Sequence, residues 1–127
     1  GLADVNRILD AAQAEAEAQG WNVAIAVVDD GGHPLALRRL DDCAPMGSYI
    51  ATEKARSAAL GRKETQVFEE MINNGRNAFL SAPVLQGTMT GGVPIMVDGQ
   101  VVGAVGVSGV KPDQDAQTAK AGVAAIG

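Results

Sequence analysis

The chain has 127 residues, 46% of them apolar and only 3% aromatic, with a formal charge of −5. That size fits one domain, residues 1–127, whose core must be built from Val, Ile, Leu, Met and Ala. The acidic balance excludes a general nucleic-acid binder, which needs a basic face, and no apolar run approaches the ~20 residues of a membrane-spanning helix.

Leu2 to Gln19 shows helical periodicity, with Leu2, Val5, Ile8, Leu9, Ala12 and Ala16 on one stripe and charges opposite. Its Asp4, Arg7 and Asp10 are unlike a secretory leader. The chain therefore reads as cytoplasmic, or as secreted or periplasmic where a leader has been removed. Gly20 suits a helix C-cap. Val23 to Val28 is a β run, and Asp29-Asp30-Gly31-Gly32 is a turn signal, since Gly tolerates positive φ. His33 to Leu40 alternates, with Leu35 and Leu37 on one face, so the two runs predict an antiparallel hairpin. Arg38, next to Leu37, points away from the face that Leu37 covers.

Asp41 to Gly47 is a loop holding Cys43, Pro45 and Met46. Ser48 to Leu60 reads as a helix whose small face, Ala51, Ala55, Ala58 and Ala59, permits close approach to a sheet or another subunit. Thr65 can N-cap a further helix with Glu69 and Glu70 near its positive end and Val67, Phe68, Met71 and Ile72 as its buried stripe. Arg76 to Thr90 carries no single period and admits one short helical turn and one short strand. Val93 to Val97 and Gln100 to Ser108 flank Asp98-Gly99, a type I′ turn pair, and predict a second hairpin. Pro94 belongs at a strand start or edge. A helix from about Asp113, with Ala116, Ala119, Val123 and Ile126 inward, closes the chain. Hairpins dominate, so the sheet is expected to be antiparallel, with helices covering both faces.

Much chemistry is absent. The chain has no P-loop, and Gly103, Gly106 and Gly109 do not make a dinucleotide fingerprint. Gly106-Val107-Ser108-Gly109 is one residue short of a nucleophile elbow. The single Cys43 forms no internal disulfide, so the fold does not depend on an oxidising compartment. One His and one Cys do not make the common zinc ligand sets. Six of the ten basic residues lie between Arg38 and Lys63, against three acids there. This is either a solvated helix face or a small anion site for carboxylates or phosphates. His33, just after a Gly-Gly turn, is either an exposed turn residue or a metal ligand; neutral imidazole is a good axial ligand for haem iron. Cys43, Met46 and Tyr49 are the other candidate ligands. Lys54 and Arg56 leave their helix on different sides, so only one can face a given site.

Several blocks together carry a family resemblance. They are Val27 to Asp41, the Lys54-Ala55-Arg56-Ser57-Ala58-Ala59 helix, Gly91-Gly92-Val93-Pro94-Ile95 followed by Asp98-Gly99 and Val102 to Gly109, and Gln114-Asp115. In this order they resemble the GlcG/HbpS family, also represented by the C-terminal domain of PduO-type proteins. The resemblance implies an α+β, profilin-like fold: a five-stranded antiparallel sheet with helices on both faces, in three α/β/α layers. It implies a homo-oligomer, from dimer to octamer, and a tetrapyrrole or other small-molecule ligand, with no nucleic acid and no membrane insertion. Haem binding is the function it implies, with weak haem-degrading or redox-sensing chemistry. Under it, His33 is the metal-ligand candidate, and Arg38 and Lys54 are the cofactor-binding candidates that would meet haem propionates. Two alternatives stand beside it. One is a small-molecule enzyme or metabolic accessory acting on a hydroxy acid or similar carboxylate. The other is an oligomeric structural module without catalysis. An open apolar groove beside His33 would favour haem; a cleft holding a carboxylate beside Lys54 would favour the hydroxy acid.

Overall fold

A computed structural model describes residues 1–126. The order is α1 (Leu2–Gln19), β1 (Ala24–Asp29), β2 (Pro34–Arg39), α2 (Met46–Gly61), α3 (Thr65–Asn73), a 3₁₀ turn (Asn77–Ser81), β3 (Gly92–Val97), β4 (Gln100–Ser108) and α4 (Pro112–Ala124). The strands form one antiparallel sheet in the order β2-β1-β4-β3. Both hairpins form as the sequence predicts, the second around Asp98 and Gly99 at φ 51° and 78°, the left-handed pair that a type I′ turn needs.

The sheet has two unequal faces. Val23, Ile25, Val27, Val93, Ile95, Val105 and Val107 pack against Val5, Ile8, Leu9, Ala12 and Ala16 of α1 and Ala119 of α4. Ala24, Ala26, Val28 and Ala104 point the other way, onto Ala51, Ala55, Ala58 and Ala59 of α2. The branched side chains thus fill a thick layer and the alanines a thin one. The thin layer is close enough that a Cβ at Gly106 would lie 2.0 Å from the Ala51 carbonyl oxygen, and one at Gly92 would lie 2.3 Å from that of Lys54. The Ala face of α2 is therefore spent on the sheet. Leu2, placed on the α1 stripe by periodicity, is exposed.

The expected fifth strand is absent among the described residues, and the sheet has four. Between the 3₁₀ turn and β3, Gly87, Met89 and Thr90 bond to side chains and not to a strand. The Gly87 N–H donates to Ser57 Oγ, the Thr90 N–H to Glu69 Oε1, and the Thr65 hydroxyl to the Met89 carbonyl. A Cβ at Gly87 would stand 2.2 Å from the Glu53 carbonyl carbon, so this loop presses on α2. The same bonds correct the expected cap of α3. Glu64 is the N-cap residue, and Thr65, fully buried, ties the helix to the loop and to the Gly92 N–H. Of the α3 stripe only Phe68 is buried, stacked on Phe79 at 5.1 Å, while Val67 is exposed. No described helix is long and apolar enough to cross a membrane.

Candidate functional site

The β1–β2 turn is organised by Asp29, the last residue of β1. Its Oδ1 accepts hydrogen bonds from the backbone N–H groups of Gly31 and His33, each at 2.9 Å. Both its carboxylate oxygens lie 3.1 Å from His33 Nδ1. The bond from the His33 N–H, with the ring contact and the Gly31 N–H behind it, holds the Asp29 carboxyl below the ordinary carboxylate range. The turn closes from the other side as well, because the Asp29 N–H donates to the His33 carbonyl. His33 itself is 79% exposed at the side chain.

From this turn, β2 runs along the open edge of the sheet. A bulge between Val27 and Val28 leaves Leu35 opposite no partner, after which Leu37 and Arg39 share the α2 side with Ala26 and Ala24. Leu35 and Leu37 are half exposed. Between β2 and α2 lies an open groove of about 770 Å³ lined by Leu37, Arg39, Pro45, Tyr49, Thr52 and Arg56, within the usual size of small-ligand sites. Arg56 links the groove to the turn. Its Nε donates to the Gly32 carbonyl at 3.3 Å, its stem covers Gly32, and its guanidinium meets Glu53. Arg39 is exposed and pairs with no acid among the described residues. The groove is therefore apolar along one wall and cationic at Arg39.

The structure does not bring His33, Arg38 and Lys54 together. Arg38 points to the α1 side, as its alternation with Leu37 predicts, and donates to Asp10 and Gln13 at 2.9 Å each. It borders a second groove, of about 540 Å³, with Glu17, Trp21, Asp41 and Asp42. Lys54 is buried, and its Nζ donates to the Val107 carbonyl at 2.9 Å and to Asp115 Oδ2 at 3.0 Å. The Lys54 and Asp115 side chains are each only 4% exposed. The carboxylate beside Lys54 thus exists, but in a sealed ion pair and not in a cleft. Burial pushes the Asp115 carboxyl up, against the opposing pull of Lys54 and of the Val110 N–H.

Of the other candidate ligands, Tyr49 is exposed in the groove, Met46 is exposed, and Cys43 is buried with its thiol against Gly47. Burial pushes the Cys43 thiol up, which disfavours the reactive thiolate. A third groove, of about 500 Å³ between α3 and α4, is acidic, with Glu69, Glu70 and Asp113. No cluster of three or more His, Cys, Asp or Glu side chains that could hold a bare metal ion occurs among the described residues. Sequence reasoning missed Asp29 and the groove role of Tyr49, and reached Arg39 only as one of the basic residues between Arg38 and Lys63. The signal for Asp29 was present, since an Asp opening an Asp-Asp-Gly-Gly tetrad is a turn-forming residue.

Comparison with known proteins agrees with this architecture. The chain is 62% identical to the protein GlcG of Escherichia coli K12 over 101 residues, which are 80% of this chain and 75% of that protein. The crystal structure of HbpS superposes with a TM-score of 0.91 at 30% identity, covering 100% of this chain and 89% of that one. A PduOC–haem complex superposes with a TM-score of 0.86 at 25% identity, covering 99% and 94%. The family model described as "Haem degrading protein HbpS-like" matches residues 1–124. With the match spanning nearly every residue and a relative this similar, the chain belongs to the HbpS-like family.

Proposed function

We propose that the chain binds haem or a related tetrapyrrole in the groove between β2 and α2, with His33 as the iron ligand. The observation that carries this is an amphipathic groove whose Arg56 also reaches the Gly32 carbonyl in the turn that bears His33, on a fold whose solved relatives include a haem complex. The donor set fits the group. A tetrapyrrole needs an apolar wall, cations for its carboxylates and a ligand for its metal. Leu37, Pro45 and Tyr49 supply the first, Arg39 the second, and His33 the third. Bound haem would supply redox-active iron. Arg38 and Lys54, expected to meet the carboxylates, are held by Asp10 and Asp115, and Arg56 by Glu53, so Arg39 takes that part. The acidic groove between α3 and α4 would repel a dianion. Haem degradation and redox sensing remain proposals of the same reading, as do the profilin-like classification and a homo-oligomer. The exposed Met96, Val97 and Val102 near the β3–β4 hairpin tip support the last of these.

The test is a haem titration followed by absorbance, with His33→Ala alongside. The expected result is a saturable Soret band, with affinity at least about tenfold weaker in the variant, or ~1.4 kcal/mol. Equal bands in both would move the ligand to Tyr49 or Met46. No band beyond that of free haem would remove the tetrapyrrole and leave small carboxylates at Arg39 as the class to screen.

A further inference from the structure

We infer that Asp29 is a positioning residue that fixes the tautomer of His33, leaving Nε2 as the free ligand atom. The inference rests on the tetrapyrrole reading only for what His33 would bind. The geometry belongs to the turn itself. A carboxylate offers only acceptors, so the His33 Nδ1 that lies 3.1 Å from both Asp29 oxygens must be the protonated nitrogen. Its partner Nε2 then carries the lone pair. A single exposed histidine–carboxylate contact is weak in water. Here, however, the carboxylate cannot turn away, because its Oδ1 also holds the Gly31 and His33 N–H groups, and Asp29 itself is fixed in the ladder opposite Gly103. The ring cannot swing inward over the turn either, since it already lies against Gly31, where a Cβ would come 2.9 Å from Cε1.

Two consequences follow for ligation. The free nitrogen is presented without a tautomer switch, and an anionic partner on Nδ1 makes the imidazole a stronger donor, favouring the oxidised iron. Neither needs any residue of the groove. The histidine turn and the cationic groove therefore make separable contributions, one to the metal and one to the carboxylates.

The discriminating variant is Asp29→Asn. The amide oxygen can keep both backbone bonds, so the turn survives, but the NH₂ that replaces Oδ2 can donate to Nδ1 and the anionic charge that favours Nδ1–H is gone, which shifts the balance toward Nε2–H. The readout is the ¹⁵N chemical shift of the His33 ring in haem-free protein at about pH 8.5, above the ordinary imidazole range. Wild type should show Nδ1–H and Asp29→Asn should show Nε2–H, and the variant should bind haem about tenfold more weakly with an upward-shifted midpoint potential. Gly31→Ala, which displaces the ring but keeps the carboxylate, should also lose the Nδ1–H signature. An Nε2–H tautomer in wild type, or the same tautomer in wild type and Asp29→Asn, would overturn the assignment. A tautomer flip with no haem bound to either protein would overturn the tetrapyrrole reading and still support the positioning role of Asp29.

Discussion

A buried ammonium on a helix that otherwise presents alanines to a sheet needs a counter-charge, and Lys54 reaches Asp115 on α4 to find one. Removing one partner leaves the other charge uncompensated. Asp115→Asn should cost about 3–5 kcal/mol of stability by chemical denaturation. Lys54→Met should cost less at acidic pH, because the Asp115 carboxyl left without its partner can accept a proton. The sign follows from the raised folded-state value of the Asp115 carboxyl. The variant's stability should be fully present below the ordinary Asp range, near pH 4, and be lost as pH rises through the higher folded value. The double replacement Lys54→Met with Asp115→Leu should recover most of the loss. At Arg39, exposed and unpaired among the described residues, substitution by Ala should leave stability unchanged and weaken haem binding about threefold, the scale of an exposed ion pair.

Among the elements, the helices and hairpins were legible as elements because each has a single period and clear stop signals, although α3 takes Glu64 as its N-cap and buries only Phe68 of its expected stripe. Val5, Ile8, Leu9, Ala12 and Ala16 predict α1, and Gly20 at φ 77° ends it. The Asp98-Gly99 pair marks the second hairpin. Alternation also placed Arg38 and Leu37 on opposite faces, which the structure bears out. The fifth strand, implied by family resemblance, fails because Gly87, Met89 and Thr90 bond to Ser57, Thr65 and Glu69, partners that no local pattern reveals. Lys54 was misjudged for a similar reason. It lies three residues after Ala51 and four before Ala58, so it shares their buried stripe, but its partner lies 61 residues away. The groove was illegible because it forms between β2 and α2, whose residues show no common motif. The thin layer yields its own prediction. Gly106→Ala should overpack α2 against β4 and cost at least about 1–3 kcal/mol, while Gly99→Ala, strained only by its φ of 78°, should cost about 1 kcal/mol.

Across the whole molecule, the fold divides its labour by face. The α1 and α4 face holds the large aliphatic core, and the α2 face, thin and alanine-lined, leaves the β2 edge open beside Arg39 and Tyr49. A ligand can therefore be taken up at that edge without disturbing the core, and stability and binding should respond to different substitutions. This edge is the proposed tetrapyrrole site. Its most direct measurement is amide chemical-shift mapping during titration with zinc protoporphyrin, which is diamagnetic and retains the ring and both carboxylates. Perturbations should concentrate at residues 29–39 and 45–56. Perturbations centred instead on Gln66, Glu69 and Gln117, or on Trp21 and Asp42, would contradict it.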